Sequence, residues 1–287
     1  MTSVVGRFAP TPSGPLHFGS LVAALASWLE AKKQKGLWVL RIDDLDPLRI
    51  ESGSVDSILA CLEVLGLEWD QLTYQSTRQE AYQAALEQLW QAERLYGCSC
   101  SRKQLAQAPQ GPEGPIYPGT CRHTPRQPQL ATRFLTKGLM PAWEDQLWGT
   151  RRINLEKELG DFVVWRADGV CSYHLATVID DQIEGVTEIL RGSDLLLSAD
   201  RQVALRQILG LPTPKYAHLP LATDFKGQKL SKQSGAMPVK PGGAVLVETL
   251  AFLKQNPPAN LKLAGPKEVL NWGLAHWSLD QLKPKRG

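Results

Sequence analysis

The chain has 287 residues, 43% hydrophobic and 21% charged, enough to bury a sizeable core and to divide into two or three units. No apolar run approaches the roughly 20 residues that span a bilayer, and the opening MTSVVGRFAP lacks the basic-then-apolar layout of a signal peptide, so a cytoplasmic protein with no membrane partner is expected. Five cysteines, three of them clustered, fit a reducing compartment and a metal site better than a disulfide framework.

In chain order, SVVGRFA (3–9) reads as a short buried strand and GSLVAALASWLEAKKQ (19–34) as an amphipathic helix. GLWVLRID (36–43) is a second strand. ESGSVDSILACLEVLGL (51–67) is a second helix, with Ser54 or Asp56 as the cap near its start. TRQEAYQAALEQLWQAERL (77–95) is a third helix, and this strand–helix–strand–helix order argues for a parallel sheet with crossover helices. From 97 to 129 the pattern dissolves into Gly, Pro and Cys, as an inserted module would. DFVVWRADGVCSYHLATVIDDQIEGVTEILRG (161–192) resumes strand-like runs, the helix SADRQVALRQILG (198–210) follows, and the tail after 240 is mostly helical.

The net charge of +3 says little by itself, but its distribution is uneven. Residues 41–70 hold two arginines against eight carboxylates. Residues 94–137 hold seven basic residues against Glu113 alone, and residues 213–240 hold five lysines against Asp224 alone. Such basic segments suit a polyanionic partner.

The stretch GRFAPTPSGPLHFGSLVAAL (6–25) crowds prolines and glycines between the first strand and the first helix, with His17 at the junction. In an open parallel sheet, ligands bind at the carboxyl ends of strands. A Gly/Pro-rich turn there lets backbone approach a phosphate at a helix N-terminus. The plainer reading is a structural turn with a capping histidine. Later, GQKLSKQSG (227–235) sets Lys229 and Lys232 three apart in a Gly-flanked loop, suited to neutralising charge as pyrophosphate leaves. Its plainer reading is an exposed basic loop.

Together, PLHFGS and KLSKQ resemble the two signature motifs of class I aminoacyl-tRNA synthetases, His-Ile-Gly-His and Lys-Met-Ser-Lys-Ser. Ser20 replaces the second histidine and Gln233 the last serine. GRFAPTPSGPLHFGS, RIDDLDPLR, VIDDQIEGVTEILRGSDLL and HLPL further resemble segments of glutamyl-tRNA synthetases, from about residue 5 to 240. CSC (98–100) and YPGTC (117–121) are similar to a zinc module of that family. About 54 residues follow KLSKQ, too few for an anticodon-binding domain. The combination resembles a truncated subfamily, the glutamyl-Q tRNA(Asp) synthetases.

The resemblance implies that glutamate is activated with ATP, Mg²⁺ accompanying the nucleotide, and passed to the queuosine base of tRNA(Asp) by a monomer. Arg7, Phe8, Ala9, Pro10 and Thr11 would line the glutamate pocket together with Tyr173 and Arg191. Apart from the resemblance, Tyr173 and Arg191 would read as a core aromatic and an ion-pair partner. His17, Gly19, Ser20, Lys229 and Lys232 would hold ATP, with His17 and Lys232 acting on the triphosphate. Asp43 stands where the family has glutamate and would reach the substrate's ammonium, if need be through a water.

For one structural Zn²⁺, Cys98, Cys100 and Cys121 supply three thiolates. Ligand chemistry alone selects His123 as the fourth, while the resemblance selects Tyr117. Cys61 and Cys171 read as packing residues. The expected architecture is an α/β, Rossmann-like class I synthetase catalytic domain with an inserted zinc-bearing module and a small helical C-terminal part. Residues 1–96 and 161–212 form the two catalytic halves, 97–160 the zinc-bearing acceptor-type module, and 213–287 the KLSKQ loop and helical end. Two other readings stay open: a small nucleotidyltransferase of related fold acting on a metabolite, and a non-catalytic zinc- and tRNA-binding relative of a synthetase.

Overall fold

A computed structural model describes residues 3–222 and 237–283. Val5–Phe8 (β1), Leu37–Ile42 (β2) and Gln71–Tyr74 (β3) form a parallel sheet in the order β1-β2-β3, with Gly6 opposite Trp38 and Leu40 opposite Leu72. The helices Phe18–Lys33 (α1) and Ser54–Val64 (α2) make the crossovers, and Gln79–Gln91 (α3) follows β3. β3 goes unnoticed in the sequence because QLTY is short and carries no apolar run. The α2 cap also differs from expectation. Gly53, in the left-handed region at φ 75°, is the N-cap with no side-chain hydrogen bond, while Ser54 and Asp56 lie inside the first turn.

The chain then leaves the sheet. Leu95–Cys98 (β4), Ala131–Phe134 (β7) and Phe162–Trp165 (β10) form an antiparallel sheet in the order β10-β7-β4. Between them lie the short helix Arg102–Leu105 (α4) and the small hairpin Gln110–Gly111 (β5) with Gly114–Pro115 (β6). This sheet straddles both expected boundaries of the inserted module, since β4 begins before residue 97 and β10 lies beyond 160. The hairpin Ala142–Asp145 (β8) and Gly149–Arg152 (β9) belongs elsewhere. β8 pairs in parallel with Lys215–Leu219 (β12), which pairs in parallel with Glu188–Gly192 (β11), giving the order β11-β12-β8-β9. β11 in turn sits beside β1: the Val5 N–H donates to Thr187 Oγ1, and the Thr187 N–H to Val5 O, both at 2.9 Å. After β9 comes the single turn Leu155–Glu158 (α5).

Residues 173–183, expected to be strand-like, are instead a helix (α6, Tyr173–Ile183). β-branched Thr177, Val178 and Ile179 give the segment a strand's composition. Leu175–Val178 and Asp180–Asp181 are nevertheless all buried, exposure is left to Tyr173, Gln182 and Ile183 at the ends, and the helix packs against Leu196–Leu209 (α7). The C-terminal helices Gly243–Phe252 (α8) and Pro266–His276 (α9) are not a separate appendage. Leu246, Leu250, Val269 and Trp277 share one core with Leu21, Leu25 and Leu29 of α1 and Trp38 of β2. Each such side chain contributes about 1.5–3 kcal/mol by leaving water. Trp277 also donates its indole N–H to Glu30 at 2.6 Å, fixing the back of α1. Among the described residues, no helix is long and apolar enough to cross a membrane.

Beneath the carboxyl ends of β1 and β2 lies a lattice of buried charges. Asp181 on α6 accepts from Arg7 Nε (3.2 Å), Arg41 Nη1 (2.9 Å) and Arg206 Nη2 (3.2 Å). Glu184 accepts from Arg41 (3.0 Å) and Arg78 (2.8 Å). Asp180 accepts from Arg78 (3.0 Å), Tyr82 (2.7 Å) and Gln75 (2.6 Å). Burial alone would raise the Asp181 carboxyl, but Arg7, Arg41 and Arg206 overcome it and hold the group at about 2. Its contribution to stability is therefore present above the ordinary carboxylate range and lost as pH falls through about 2. Asp181→Ala takes a carboxylate from three buried guanidiniums, leaving Arg7 without its ion-pair partner while Arg41 keeps Asp43 and Glu184, and is expected to cost about 3–5 kcal/mol, read from urea unfolding at neutral pH. A loss below about 1 kcal/mol, the scale of an exposed pair, would show that the lattice does not hold these elements together.

Candidate active site

The turn between β1 and α1 runs through Pro10, Pro12 and Pro15, with Gly14 at φ 117°, a conformation only glycine adopts readily. It ends on His17, the N-cap of α1. His17 Nδ1 accepts from the Ser20 N–H at 3.3 Å, so in the neutral ring Nε2 carries the proton and donates to Ser20 Oγ at 3.0 Å. The capping role and the position at a ligand site thus coexist. No acidic residue sits in the first turn of α1, so its positive end is not offset there.

The turn is tied to neighbouring loops. Asp43 N–H donates to Pro10 O at 3.0 Å, and Glu51 N–H to Pro12 O at 2.9 Å. Val239 N–H donates to Leu16 O at 2.8 Å, and Pro238 bridges to His17. The described chain therefore reaches this turn on one side of residues 223–236, at Pro238, and lines the same cavity on the other, at Ala222. Lys229 and Lys232 lie outside the described residues.

A cavity of about 790 Å³ opens at the carboxyl ends of β1, β2, β11 and β12, where β1 meets β11 and the strand order turns back. Open α/β sheets bind ligands at such a switch point. Arg7, Phe8, Ala9, Pro10, Thr11, His17, Gly19, Ser20, Asp43, Tyr173 and Arg191 all line it. Each sequence-predicted glutamate-pocket residue is thus brought to one place, as are the predicted ATP residues that lie within the described chain.

Polar chemistry divides the cavity. Arg7 uses Nε to hold Asp181 and lines the cavity. Arg191, also buried, donates to Tyr173 Oη at 3.4 Å, to Leu195 O at 3.3 Å and to His218 Nε2 at 3.1 Å. Asp43 accepts from Arg41 Nε at 2.8 Å. Burial pushes the Asp43 carboxyl up to about 6 despite that arginine. Of the charges that line the cavity, the sequence-predicted set is thus two guanidiniums, Arg7 and Arg191, and one carboxylate, Asp43, near a helix N-terminus, alongside Arg41, Arg49, Glu51 and Asp194. Such a set complements a molecule carrying two carboxylates and an ammonium, next to a phosphate.

Asp181 holds Arg7 and Arg41 holds Asp43, yet the sequence gives no hint of it. Arg41 sits inside an apolar strand and Asp181 inside a helix that reads as strand, and their partnership exists only in three dimensions. Arg49, Glu51 and Asp194 also line the cavity without having been singled out.

The second cluster lies at the end of β4. The thiol sulfurs of Cys98, Cys100 and Cys121 lie within 4.8 Å of one another. Tyr117 Oη is 3.5 Å from Cys98 Sγ and 3.6 Å from Cys100 Sγ, and accepts from the Cys121 N–H at 2.9 Å. His123 is exposed and stands outside the cluster. A zinc ion with Zn–S bonds of about 2.3 Å sets sulfurs about 3.8 Å apart; Cys100 and Cys121 are 3.5 Å apart, so the thiols fit one zinc. Burial raises the Cys121 thiol, but the Tyr117 hydroxyl, the Ser99 backbone and the neighbouring thiols bring it down to about 6, favouring the thiolate a metal needs. Cys171 is buried in the core shared by α3, α6 and α7, and Cys61 packs against the core around α1, both as expected.

Residues 3–245 match the family described as tRNA synthetases class I (E and Q), catalytic domain. The glutamyl-Q tRNA(Asp) synthetase of Thiobacillus denitrificans is 45% identical over 284 residues, 97% of this chain and 94% of that protein. The enzymes of the same name from Aromatoleum aromaticum and Pseudomonas aeruginosa are 47% and 46% identical, over 96% and 98% of this chain and 89% and 96% of theirs. Among solved structures, the glutamate tRNA ligase of Elizabethkingia meningosepticum in complex with its amino acid superposes with a TM-score of 0.78 at 26% identity, over 99% of this chain and 66% of that one. The glutamate-tRNA synthetase of Elizabethkingia anophelis shares the fold, with a TM-score of 0.79 at 24% identity, over 98% of this chain and 67% of that one. The chain thus spans about two thirds of those two longer structures.

Proposed function

The chain belongs to the glutamyl-Q tRNA(Asp) synthetase family of class I tRNA synthetases, and from that premise we propose that it joins L-glutamate to ATP as glutamyl-adenylate without tRNA, then transfers glutamate to the queuosine base of tRNA(Asp). The observation that carries this reading is the convergence of Arg7, Arg191, Tyr173 and Asp43 on one cavity at the N-terminus of α1. Arg7, Arg191 and Tyr173 take the side-chain carboxylate, and Asp43 takes the ammonium. The α-carboxylate is left to attack.

In the first step a carboxylate oxygen bonds to the α-phosphorus of ATP. The bond from that phosphorus to the bridging oxygen breaks, and its electron pair leaves with pyrophosphate. The α1 N-terminus, Gly19, Ser20 and His17 hold phosphate charge there. Lys229 and Lys232 are assigned the departing pyrophosphate, and the position of both flanks of their segment at the cavity supports this. Mg²⁺ enters with the nucleotide. No general base is needed, because the nucleophile is already an anion. In the second step a hydroxyl of the RNA attacks the acyl carbon, the bond from that carbon to the phosphate oxygen breaks, and AMP leaves with the hydroxyl's proton passing to its phosphate. The basic module of residues 94–137 suits the RNA backbone. Neither the nucleotidyltransferase nor the non-catalytic reading is favoured by any observation.

ATP–pyrophosphate exchange tests the reading directly. Exchange is expected with glutamate in the absence of tRNA, and radiolabelled glutamate should appear only in tRNA(Asp) that carries queuosine. Because the Asp43 carboxyl of the free protein lies near 6, kcat/KM for glutamate should fall as pH drops through about 6 and the ammonium loses its partner. Exchange that required tRNA, or that preferred another amino acid, would overturn it.

The cysteine cluster is assigned one structural zinc held by Cys98, Cys100, Cys121 and Tyr117. When bound, such an ion stitches β4 to the loop at 117–121, in a region whose own apolar cluster is small. Purified protein should contain one zinc per chain by elemental analysis. His123→Ala should leave that content unchanged, while Tyr117→Phe should lower zinc affinity against a chelator. The opposite pattern would move the fourth ligand to His123.

A further inference from the structure

Arg191 does not lie in the cavity by its own rotamer alone. Its Nε donates to His218 Nε2 at 3.1 Å, and His218 Nδ1 lies 2.6 Å from Asp145 Oδ2. His218 and Asp145 are fully buried, on the adjacent strands β12 and β8. Asp145 is itself fixed, since its Oδ1 accepts from the Leu147 and Trp148 N–H groups at 2.9 and 3.0 Å. The His218 N–H also reaches this carboxylate, at 3.2 Å from Oδ2. An ionised carboxylate can only accept, so His218 Nδ1 must carry the proton. In the neutral ring Nε2 is then a bare lone pair, facing the Arg191 Nε–H. The three groups satisfy one another in only one tautomer.

We infer that Asp145 and His218 are positioning residues for substrate, a buried carboxylate–imidazole pair that locks the Arg191 guanidinium toward the side-chain carboxylate of the bound amino acid. The inference rests on the function proposed above and adds two residues to it. Neither Asp145 nor His218 lines the cavity, so neither touches substrate. Asp145 comes from the hairpin β8–β9, which the sequence places with the zinc module. The pair therefore joins that part of the chain to the amino-acid site.

Asp145→Asn is the discriminating substitution. The Leu147 and Trp148 N–H groups select the amide oxygen for the Oδ1 position, which turns the amide NH₂ toward His218 Nδ1. The imidazole must then move its proton to Nε2, where it opposes the Arg191 Nε–H. Nitrogen NMR of labelled protein should find His218 as the Nδ1–H tautomer in the natural chain and as Nε2–H in Asp145→Asn. KM for glutamate in ATP–pyrophosphate exchange should rise about tenfold or more in this variant, while KM for ATP stays within about twofold. His218→Leu should show the same split. His218→Gln, whose amide can donate to Asp145 and accept from Arg191, should recover most of the loss.

Should Asp145→Asn fail to fold, the His218→Leu and His218→Gln pair decides. A glutamate KM lost in the first and regained in the second supports the inference, and equal values in both overturn it. An Nε2–H tautomer in the natural protein, or a folded Asp145→Asn variant with unchanged glutamate KM, also overturns it. Absence of exchange with glutamate in the natural protein would instead sink the proposed function, and the tautomer measurement would still test the pair.

Discussion

Asp181 is the group on which the rest of the site depends. One carboxylate, buried on α6, holds arginines from β1, β2 and α7 at once. Replacing a buried ion pair wholesale by apolar side chains is often neutral for stability, so the lattice is not there simply to add it. Its consequence is that Asp181 cannot move without taking a buried partner from Arg7, Arg41 and Arg206 at once. Arg7 is set by Asp181, and Asp43 by Arg41, which Asp181 also holds. These cavity-lining charges are thereby held in place in the free protein, which is where an electrostatic site would gain its advantage. Burial also leaves the Asp43 carboxyl near 6, an anion at neutral pH that gains from acquiring an ammonium partner.

The rest of the fold keeps that lattice and the α1 N-terminus in register. α1 is gripped on one side by β1, β2 and β11 and on the other by α8 and α9. Trp277 and Glu30 secure its back, while His17 caps its front at the cavity. The C-terminal helices, distant in sequence from α1, thus help to fix the end of it that faces the cavity. The segment between β4 and β10 leaves the main sheet to carry the thiol cluster and returns to it through β8. There Asp145 meets His218, which in turn meets Arg191. Cavity and inserted region are mechanically continuous at that point.

Much of the site was legible in the sequence because its chemistry sits in contiguous turns. Residues 7–20 carry backbone, histidine and helix start within one stretch, and the structure keeps them together. What stayed hidden depends on partners far along the chain. VIDDQI reads as strand until Arg7, Arg41 and Arg206 supply a reason to bury two adjacent carboxylates on a helix face. β3 is short and polar, and it shows only through its pairing with β2. Asp145 was indistinguishable from any loop carboxylate until β8 paired with β12 and set it against His218. At the thiol cluster, ligand chemistry favoured His123, yet the chain places Tyr117 against the sulfurs and leaves His123 in solvent.

The central claim is that the cavity is wired in advance for a side-chain carboxylate. Calorimetric titration of the natural protein with L-glutamate and with L-glutamine tests it most directly, because the two differ only in replacing that carboxylate by a neutral amide. With Arg7 and Arg191 both facing the side chain, glutamate should bind at least about tenfold more tightly, the worth of one charge-assisted hydrogen bond. Equal affinity for the two, with both seen to bind, would mean that the arginines serve the fold alone and that the substrate's side chain is recognised elsewhere.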